Sequence, residues 1–166
     1  AGGLELVRKL GAKFGRKDHD IVLVERGRTH IWKPLLHEVA AGSLDANLDE
    51  VGYRSHCHKW GYRYFFGALD AIDREKRTIP LAPLMDEDGS VLIEPHVIRY
   101  DYLVLAIGSI TNDFGIPGVR DHCMLLDSRD DADRFRYRLL DHCLRVSRAM
   151  SEDSDADERV RIAIVG

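Results

Sequence analysis

The chain has 166 residues, of which 45% are hydrophobic, and its formal net charge at pH 7 is −4. A chain of this length can bury one sizeable core, and its acidic balance excludes the basic surface typical of nucleic-acid binding. No apolar run approaches the roughly 18 residues of a membrane span, and the three cysteines are far apart, which indicates reduced thiols rather than a disulfide framework.

The two ends of the chain carry related patterns. Gly2 and Gly3 predict the last part of a glycine-rich turn between a strand and a helix, and residues 161–166 predict a buried strand that runs into another such turn. We therefore expect two dinucleotide-binding units, the first without its opening strand and the second with that strand alone. The predicted domains are residues 1–150, an acidic linker over 151–159, and residues 160–166.

The first elements predict a nucleotide site. The apolar spacing over residues 4–15 predicts an amphipathic helix that Gly15 ends in a left-handed conformation, and residues 21–25 predict a buried parallel strand. Glu25 follows Gly3 by 22 positions, close to the roughly 20-residue spacing at which a carboxylate meets the ribose hydroxyls of a dinucleotide. Pyrophosphate would lie over the helix N-terminus. The alternative is an ordinary glycine loop and a solvated strand end.

A loop and helix then continue to about residue 59, followed by short strands and one long helix. Residues 62–68 predict an aromatic strand, and residues 71–100 predict an antiparallel meander with a hairpin turn at 86–89. Residues 102–107 predict a second buried strand, and residues 127–144 predict a helix that Asp127 or Ser128 can cap. The predicted class is α/β: a Rossmann-like domain whose parallel sheet lacks its first strand, with a small antiparallel β-meander.

This order of elements resembles the FAD domain of the flavoproteins that have two dinucleotide-binding domains. Ala106-Ile107-Gly108 is similar to the Ala-Thr-Gly motif of that family, with Ile in place of Thr. Small residues there let the backbone approach the nucleotide closely. Ala68 matches the family position whose backbone touches adenine. The alternative for both positions is a strand that ends in small residues.

Two segments narrow the resemblance. Residues 29–42 and 112–119 are similar to segments of type II NADH:quinone oxidoreductases, and the first contains no cysteine. A thiol relay of the disulfide-reductase kind is thereby excluded on this face of the flavin. The resemblance implies non-covalently held FAD, hydride transfer from NADH, and electron transfer to a membrane quinone. It also implies a peripheral position on the cytoplasmic face of the membrane, with a homodimer left open.

Several residues of the first segment are candidate flavin contacts. Lys33 could stabilise the negative charge of the reduced ring, unless it is a surface lysine. Glu38 beside His37 could serve a proton step, but a surface carboxylate at a helix N-terminus is the alternative. Lys33 and Glu38 are thus the candidate catalytic residues, and Pro34, Leu35 and Leu36 would form an apolar wall. The whole predicted FAD site comprises Gly2, Gly3, Glu25, Arg26, His30, Lys33, Pro34, Leu35, Leu36, Ala68, Ala106 and Gly108.

Two other functions stay open: a relative of sulfide:quinone or ferredoxin-type reductases, and a non-catalytic nucleotide-binding or redox-sensing module. We expect no metal site, because the adjacent side chains of His56, Cys57 and His58 point to different sides. Since the phosphate end of the flavin site is incomplete without the first strand, we expect weak FAD binding and no NADH oxidation from the chain alone. We also expect residues 162–165 to dock beside one of the two parallel strands, or the gap between those strands to be poorly ordered.

Overall fold

The computed structural model describes residues 2–15, 17, 19–86, 88–152 and 159–165. The chain divides into two compact units, the first made of residues 1–30 and 50–109 and the second of residues 31–49 and 110–166. In chain order the elements are α1 (Gly2–Phe14), β1 (Val22–Glu25), β2 (Thr29–His30), a 3₁₀ turn (Lys33–Leu35), α2 (Leu36–Ala41), α3 (Ala46–Asp49), β3 (Val51–Gly52), α4 (Tyr53–Trp60), β4 (Arg63–Phe66), β5 (Thr78–Leu81), β6 (Leu84–Met85), β7 (Val91–Ile93), β8 (His96–Arg99), α5 (Val119–His122) and α6 (Arg129–Glu152).

The first unit is built on the parallel pair β1 and β4, whose register runs from Val22 opposite Arg63 to Glu25 opposite Phe66. The predicted strands at 21–25 and 62–68 are therefore confirmed, and so is the α/β class. Helix α1 packs against α4. A methyl group on Gly11 would lie 2.7 Å from the carbonyl oxygen of Trp60, so glycine is needed for the close approach of these helices.

Gly15 has a different role from the predicted one. Its φ angle is not positive, so it does not end α1 in a left-handed conformation. A Cβ atom at this position would overlap the carbonyl oxygen of Gly61. The residue is therefore small because the end of α4 passes directly beside it.

The small antiparallel meander is confirmed, because bridges at Leu69–Leu81 and Asp73–Thr78 pair the segment before β5 antiparallel with β5. Strand β5 pairs with β8, and β6 pairs with β7 between them. The register is shared, because Thr78 faces Arg99 in one ladder and Leu84 faces Ile93 in the other. The chain reverses at Asp86, whose Oδ1 accepts the backbone N–H of Ser90 at 2.8 Å. Because the chain turns here, β6 pairs with β7 next to the turn and β5 pairs with β8 farther from it.

Two predicted strands are wrong. Residues 103–107 form no strand, and Val104, Leu105 and Ile107 are exposed. Residues 159–165 also form no strand, so the predicted docking of residues 162–165 as a strand does not occur. An apolar, β-branched run becomes a strand only when a neighbour satisfies its backbone groups, and no described strand pairs with either run.

The second unit packs α2 against α6. Its core contains Leu36, Val39 and Ala132, of which none is more than 2% exposed. Helix α6 begins with a reciprocal cap, in which Ser128 Oγ accepts the backbone N–H of Asp131 and the Asp131 carboxylate accepts the backbone N–H of Ser128. The helix continues to Glu152, beyond the predicted end at residue 144.

Most of the predicted acidic linker, residues 153–158, lies outside the described residues. No helix among the described residues is long and apolar enough to cross a membrane.

Candidate functional site

The N-terminus of α1 lies at an unusually close packing contact in the first unit. A Cβ atom on Gly3 would be 2.7 Å from the Cβ atom of Ala106, whereas a Cβ atom on Gly2 would meet nothing within 4 Å. Gly3 therefore lets the helix backbone approach the segment around Ala106. The first N–H groups of a helix have no partner inside the helix, so this end is suited to an anion.

Glu25 ends β1, as predicted, and its half-buried side chain turns toward the loop that follows. Its Oε1 accepts the backbone N–H of Gly27 at 3.2 Å. A carboxylate that keeps lone pairs beyond this bond can accept hydrogen bonds from hydroxyl groups. Arg26, directly after it, is exposed.

Two tyrosines that the sequence analysis missed hold the loop after Glu25. The hydroxyl of Tyr64 on β4 donates to the carbonyl oxygen of Gly27 at 2.5 Å. The ring of Tyr53, at the start of α4, stacks on the ring of Tyr64 with 5.3 Å between centroids. Nδ1 of His30 lies 3.2 Å from the hydroxyl oxygen of Tyr53. The structure thus brings Glu25 and His30 into one polar cluster with two buried or half-buried phenols.

Burial sets the protonation of this cluster. Burial raises the pKa of Tyr53 well above its ordinary value, and the negative charge of Glu25 adds to the rise. Burial also lowers the pKa of His30, against a smaller opposing effect of Glu25. At neutral pH the phenol is therefore protonated and the imidazole is neutral.

The small residues predicted to lie beside the nucleotide are exposed. Ala68 is exposed, and its carbonyl oxygen accepts the backbone N–H of Ala82 at 2.9 Å. Gly108 has a φ angle of 75°, a conformation that side chains disfavour, and a Cβ atom there would meet nothing within 4 Å. Ala106, Ala68 and Gly108 therefore leave backbone accessible in the first unit.

In the second unit Lys33 belongs to an ion-pair cluster. Its Nζ lies 2.7 Å from Oδ1 of Asp127, and its side chain is 43% exposed. Asp127 also accepts the backbone N–H and the hydroxyl of Thr111, both at 2.9 Å. Partial burial raises the pKa of Asp127, but the hydrogen bonds from Lys33 and Thr111 outweigh it and bring the pKa below its ordinary value.

Asp127 therefore links the 3₁₀ turn to the segment that precedes the NDFGIPGV motif at residues 112–119. Asn112 and Asp113 fold this motif locally, because their side-chain oxygens accept the backbone N–H groups of Phe114 and Gly115. Of the two predicted caps of α6, Ser128 takes the position and Asp127 does not. The sequence did not indicate that Asp127 would pair with Lys33, which lies 94 residues away in the chain.

The predicted apolar wall divides into core and surface. Leu36 is 2% exposed and packs in the core of the second unit with Val39 and Ala132. Its side chain is therefore enclosed by its own unit. Pro34 is exposed and Leu35 is half-buried. We accordingly keep only these two as candidate wall residues.

Glu38 lies in the first turn of α2, with its Oε1 3.9 Å from Nε2 of His37. The His37 side chain is 70% exposed. A carboxylate in the first turn of a helix is also stabilised by the helix dipole. The position of Glu38 therefore fits both the proton-transfer role and the alternative of a surface carboxylate at a helix N-terminus.

The cysteines and histidines form neither a disulfide nor a metal cluster in the part of the chain that the structure describes. Cys57, Cys123 and Cys143 are free, and the last two are exposed. No group of three potential ligands among His, Cys, Asp and Glu is found among the described residues.

Comparison with known proteins decides the family. The whole chain, residues 1–166, matches the family described as pyridine nucleotide-disulphide oxidoreductase. The chain belongs to this pyridine nucleotide-disulphide oxidoreductase family. Within it, the chain is 42% identical to the type II NADH:quinone oxidoreductase of Haemophilus influenzae, over 100% of its own length and 40% of the relative's. It is 26% identical to the type II NADH:quinone oxidoreductase NdhA of Mycobacterium tuberculosis, over 99% of its own length and 35% of the relative's.

Two solved structures share the fold. NDH2 from Plasmodium falciparum, in complex with RYL-552, matches 86% of the chain with a TM-score of 0.70 at 23% identity. The sulfide:quinone oxidoreductase of Aquifex aeolicus matches 86% with a TM-score of 0.68 at 19% identity. The chain spans 28% and 30% of these two proteins. The likeness establishes a Rossmann-type fold.

Proposed function

We propose that the chain is the FAD-binding part of a type II NADH:quinone oxidoreductase, in which NADH gives a hydride and a membrane quinone receives the electrons. The observation that carries this proposal is the 42% identity, along the whole chain, with the type II enzyme of Haemophilus influenzae. Fold likeness does not choose between this function and sulfide oxidation, because the TM-scores of 0.70 and 0.68 are nearly equal. The sequence identity therefore has the greater weight.

The first unit has the donors and acceptors that the nucleotide part of FAD requires. The N-terminus of α1 at Gly2 and Gly3 offers free N–H groups for pyrophosphate. Glu25 offers carboxylate oxygens for ribose hydroxyls, and Ala68 and Gly108 offer accessible backbone. These features fit the group, and we assign residues 1–150 to the FAD domain, with Arg26, His30 and Ala106 as further members of the site.

The family resemblance assigns the isoalloxazine part to Lys33, Pro34, Leu35 and Glu38. FAD, when bound, supplies an acceptor for two electrons. Lys33 holds a positive charge that favours negative charge on its neighbour, and Pro34 and Leu35 exclude water from an apolar surface. Asp127 holds the ammonium group of Lys33 at 2.7 Å and so limits where this charge can lie. Glu38 can hold a proton on its carboxylate.

The test is the spectrum of the purified whole enzyme of which the chain is proposed to be a part. We expect flavin absorbance that an excess of NADH bleaches without oxygen, and that a soluble quinone restores. Sulfide, added in place of NADH, serves as the control electron donor, and it should leave the flavin absorbance bands unchanged. Protein that stays colourless after incubation with FAD would refute FAD binding. Bleaching by sulfide and not by NADH would favour the sulfide:quinone alternative.

A binding module without catalysis is distinguished by the same experiment, because its flavin would not respond to either donor. We further propose a peripheral position on the cytoplasmic face of the membrane, which co-sedimentation with lipid vesicles would test. We also propose a homodimer, which light scattering would test.

A further inference from the structure

The loop after Glu25 is held by contacts from three directions, all within the first unit. The hydroxyl of Tyr64 donates to the carbonyl oxygen of Gly27 at 2.5 Å. The backbone N–H of Tyr53 donates to the carbonyl oxygen of Arg28 at 3.1 Å. The guanidinium of Arg28 lies 5.5 Å from the centroid of the Phe66 ring. A loop of three residues, 26–28, with this many contacts to other elements can adopt few conformations.

The carboxylate of Glu25 is coupled to this loop. Its Oε1 accepts the backbone N–H of Gly27, the residue whose carbonyl oxygen Tyr64 binds. A shift of the Gly27 peptide therefore moves a partner of the carboxylate. Glycine has the widest backbone freedom of any residue, so the position of Gly27 depends on contacts from outside the loop.

Tyr53 anchors the other end of the arrangement. It is only 3% exposed, and its ring stacks on Tyr64. Burial and the nearby Glu25 charge raise its pKa, so its hydroxyl keeps its proton and can donate toward the carboxylate. Nδ1 of the neutral His30 lies 3.2 Å from the oxygen of this hydroxyl.

We propose that Tyr53 and Tyr64 are positioning residues, which fix the Glu25 carboxylate in the orientation that binds the adenosine ribose of FAD. This inference rests on the proposed function, because it takes FAD as the ligand. Neither tyrosine needs to touch the cofactor. Their contribution is to remove the freedom of Gly27 and of the carboxylate before the ligand arrives.

The chain contains a matched control. Tyr62 lies in the same unit, is 6% exposed, and its hydroxyl is 2.8 Å from Nδ1 of His56. It is therefore another buried tyrosine paired with a histidine, but its recorded hydroxyl partner is outside the loop after Glu25. Replacement of Tyr62 by Phe removes one buried hydroxyl of the same kind.

The experiment measures the affinity of the flavin-free protein for FAD and for an FAD analogue without the adenosine 2′-hydroxyl. We expect the wild-type protein to prefer FAD by about tenfold, because a hydrogen bond to a charged acceptor is lost with the analogue. In Tyr53→Phe and Tyr64→Phe we expect FAD affinity to fall about five- to tenfold and the preference to fall to about two- to threefold. Tyr62→Phe should keep the wild-type preference.

The outcomes separate a failure of FAD binding from a failure of the positioning role. If the wild-type protein does not bind FAD, the proposed function fails. If it binds FAD and the two variants keep the full preference for the ribose hydroxyl, the positioning role is overturned even where their overall FAD affinity falls, because that result describes a general structural effect. An equal loss of preference in Tyr62→Phe would overturn it as well.

Discussion

Replacement of Gly3 by alanine tests the close packing at the start of α1. The added Cβ atom would lie 2.7 Å from the Cβ atom of Ala106, whereas carbon atoms prefer about 3.5 to 4.0 Å. The two segments must therefore separate by about 1 Å, and overpacking of this kind costs about 1 to 3 kcal/mol. Alanine is better than glycine within a helix by about 1 kcal/mol, so the net destabilisation of Gly3→Ala is about 0 to 2 kcal/mol.

Gly2→Ala serves as the control for the helix-propensity gain of alanine over glycine. It has a similar helix-propensity gain, and its Cβ atom would meet nothing within 4 Å. The difference between the two variants therefore isolates the contact with Ala106, and we expect it to be about 1 to 3 kcal/mol. For a chain of this size the corresponding difference in melting temperature is about 2 to 12 °C.

Urea unfolding followed by Trp60 fluorescence measures this difference. The chain has two tryptophans, and Trp32 belongs to the second unit, so a Trp32→Phe background leaves a reporter for the first unit alone. Trp60 also lies under the guanidinium of Arg8 on α1, 4.7 Å from the ring centroid. Addition of Ala106→Gly to Gly3→Ala should restore stability. Equal stability of the Gly2 and Gly3 variants, or no rescue by Ala106→Gly, would refute the packing argument.

Three further predictions concern the proposed cofactor and the histidines. Glu25→Ala should weaken FAD binding by about 1 to 3 kcal/mol in a fluorescence titration, with Glu25→Asp milder; unchanged affinity would remove Glu25 from the site. Lys33→Met should lower the flavin midpoint potential and leave the NADH affinity nearly unchanged. Asp127→Asn, which removes the carboxylate partner and keeps the lysine charge, should not lower the potential. Equal potentials in the wild-type protein and Lys33→Met would make Lys33 a surface residue. Burial lowers the pKa values of His30 and His56, so the stability they contribute is present above about pH 6.5 and is lost as the pH falls through their folded values. His30→Gln should flatten that loss in unfolding curves between pH 7.5 and pH 5; an unchanged slope would contradict it.

The sequence predicts the elements whose cause is local. The apolar run before Glu25 has strand composition and finds β4 as its parallel neighbour, and β1 begins within one residue of the predicted start. The spacing of apolar residues over 4–15 likewise predicts α1. Local pattern also places Glu25 at the end of its strand. It does not reveal which side chains will meet that carboxylate.

Pairing and long-range contacts account for what the sequence did not predict. The runs at 103–107 and 159–165 have strand composition, but composition does not supply a neighbouring backbone. Tyr64 reaches Gly27 across 37 positions, and Lys33 reaches Asp127 across 94. Nothing in the spacing of these residue types indicates their contact. Leu36 similarly looks like a flavin wall until α6 is seen to cover it.

The division of the second unit between two distant stretches has a consequence for synthesis on the ribosome. The apolar face of α2, with Leu36 and Val39, is covered by α6, whose Ala132 follows about 95 residues later. At a translation rate of about 5 to 20 residues per second, that face waits about 5 to 20 seconds for its partner. All strands of the first unit emerge by Arg99 and can pair within this interval. Nascent chains should therefore expose α2 as a chaperone-binding segment until α6 leaves the exit tunnel.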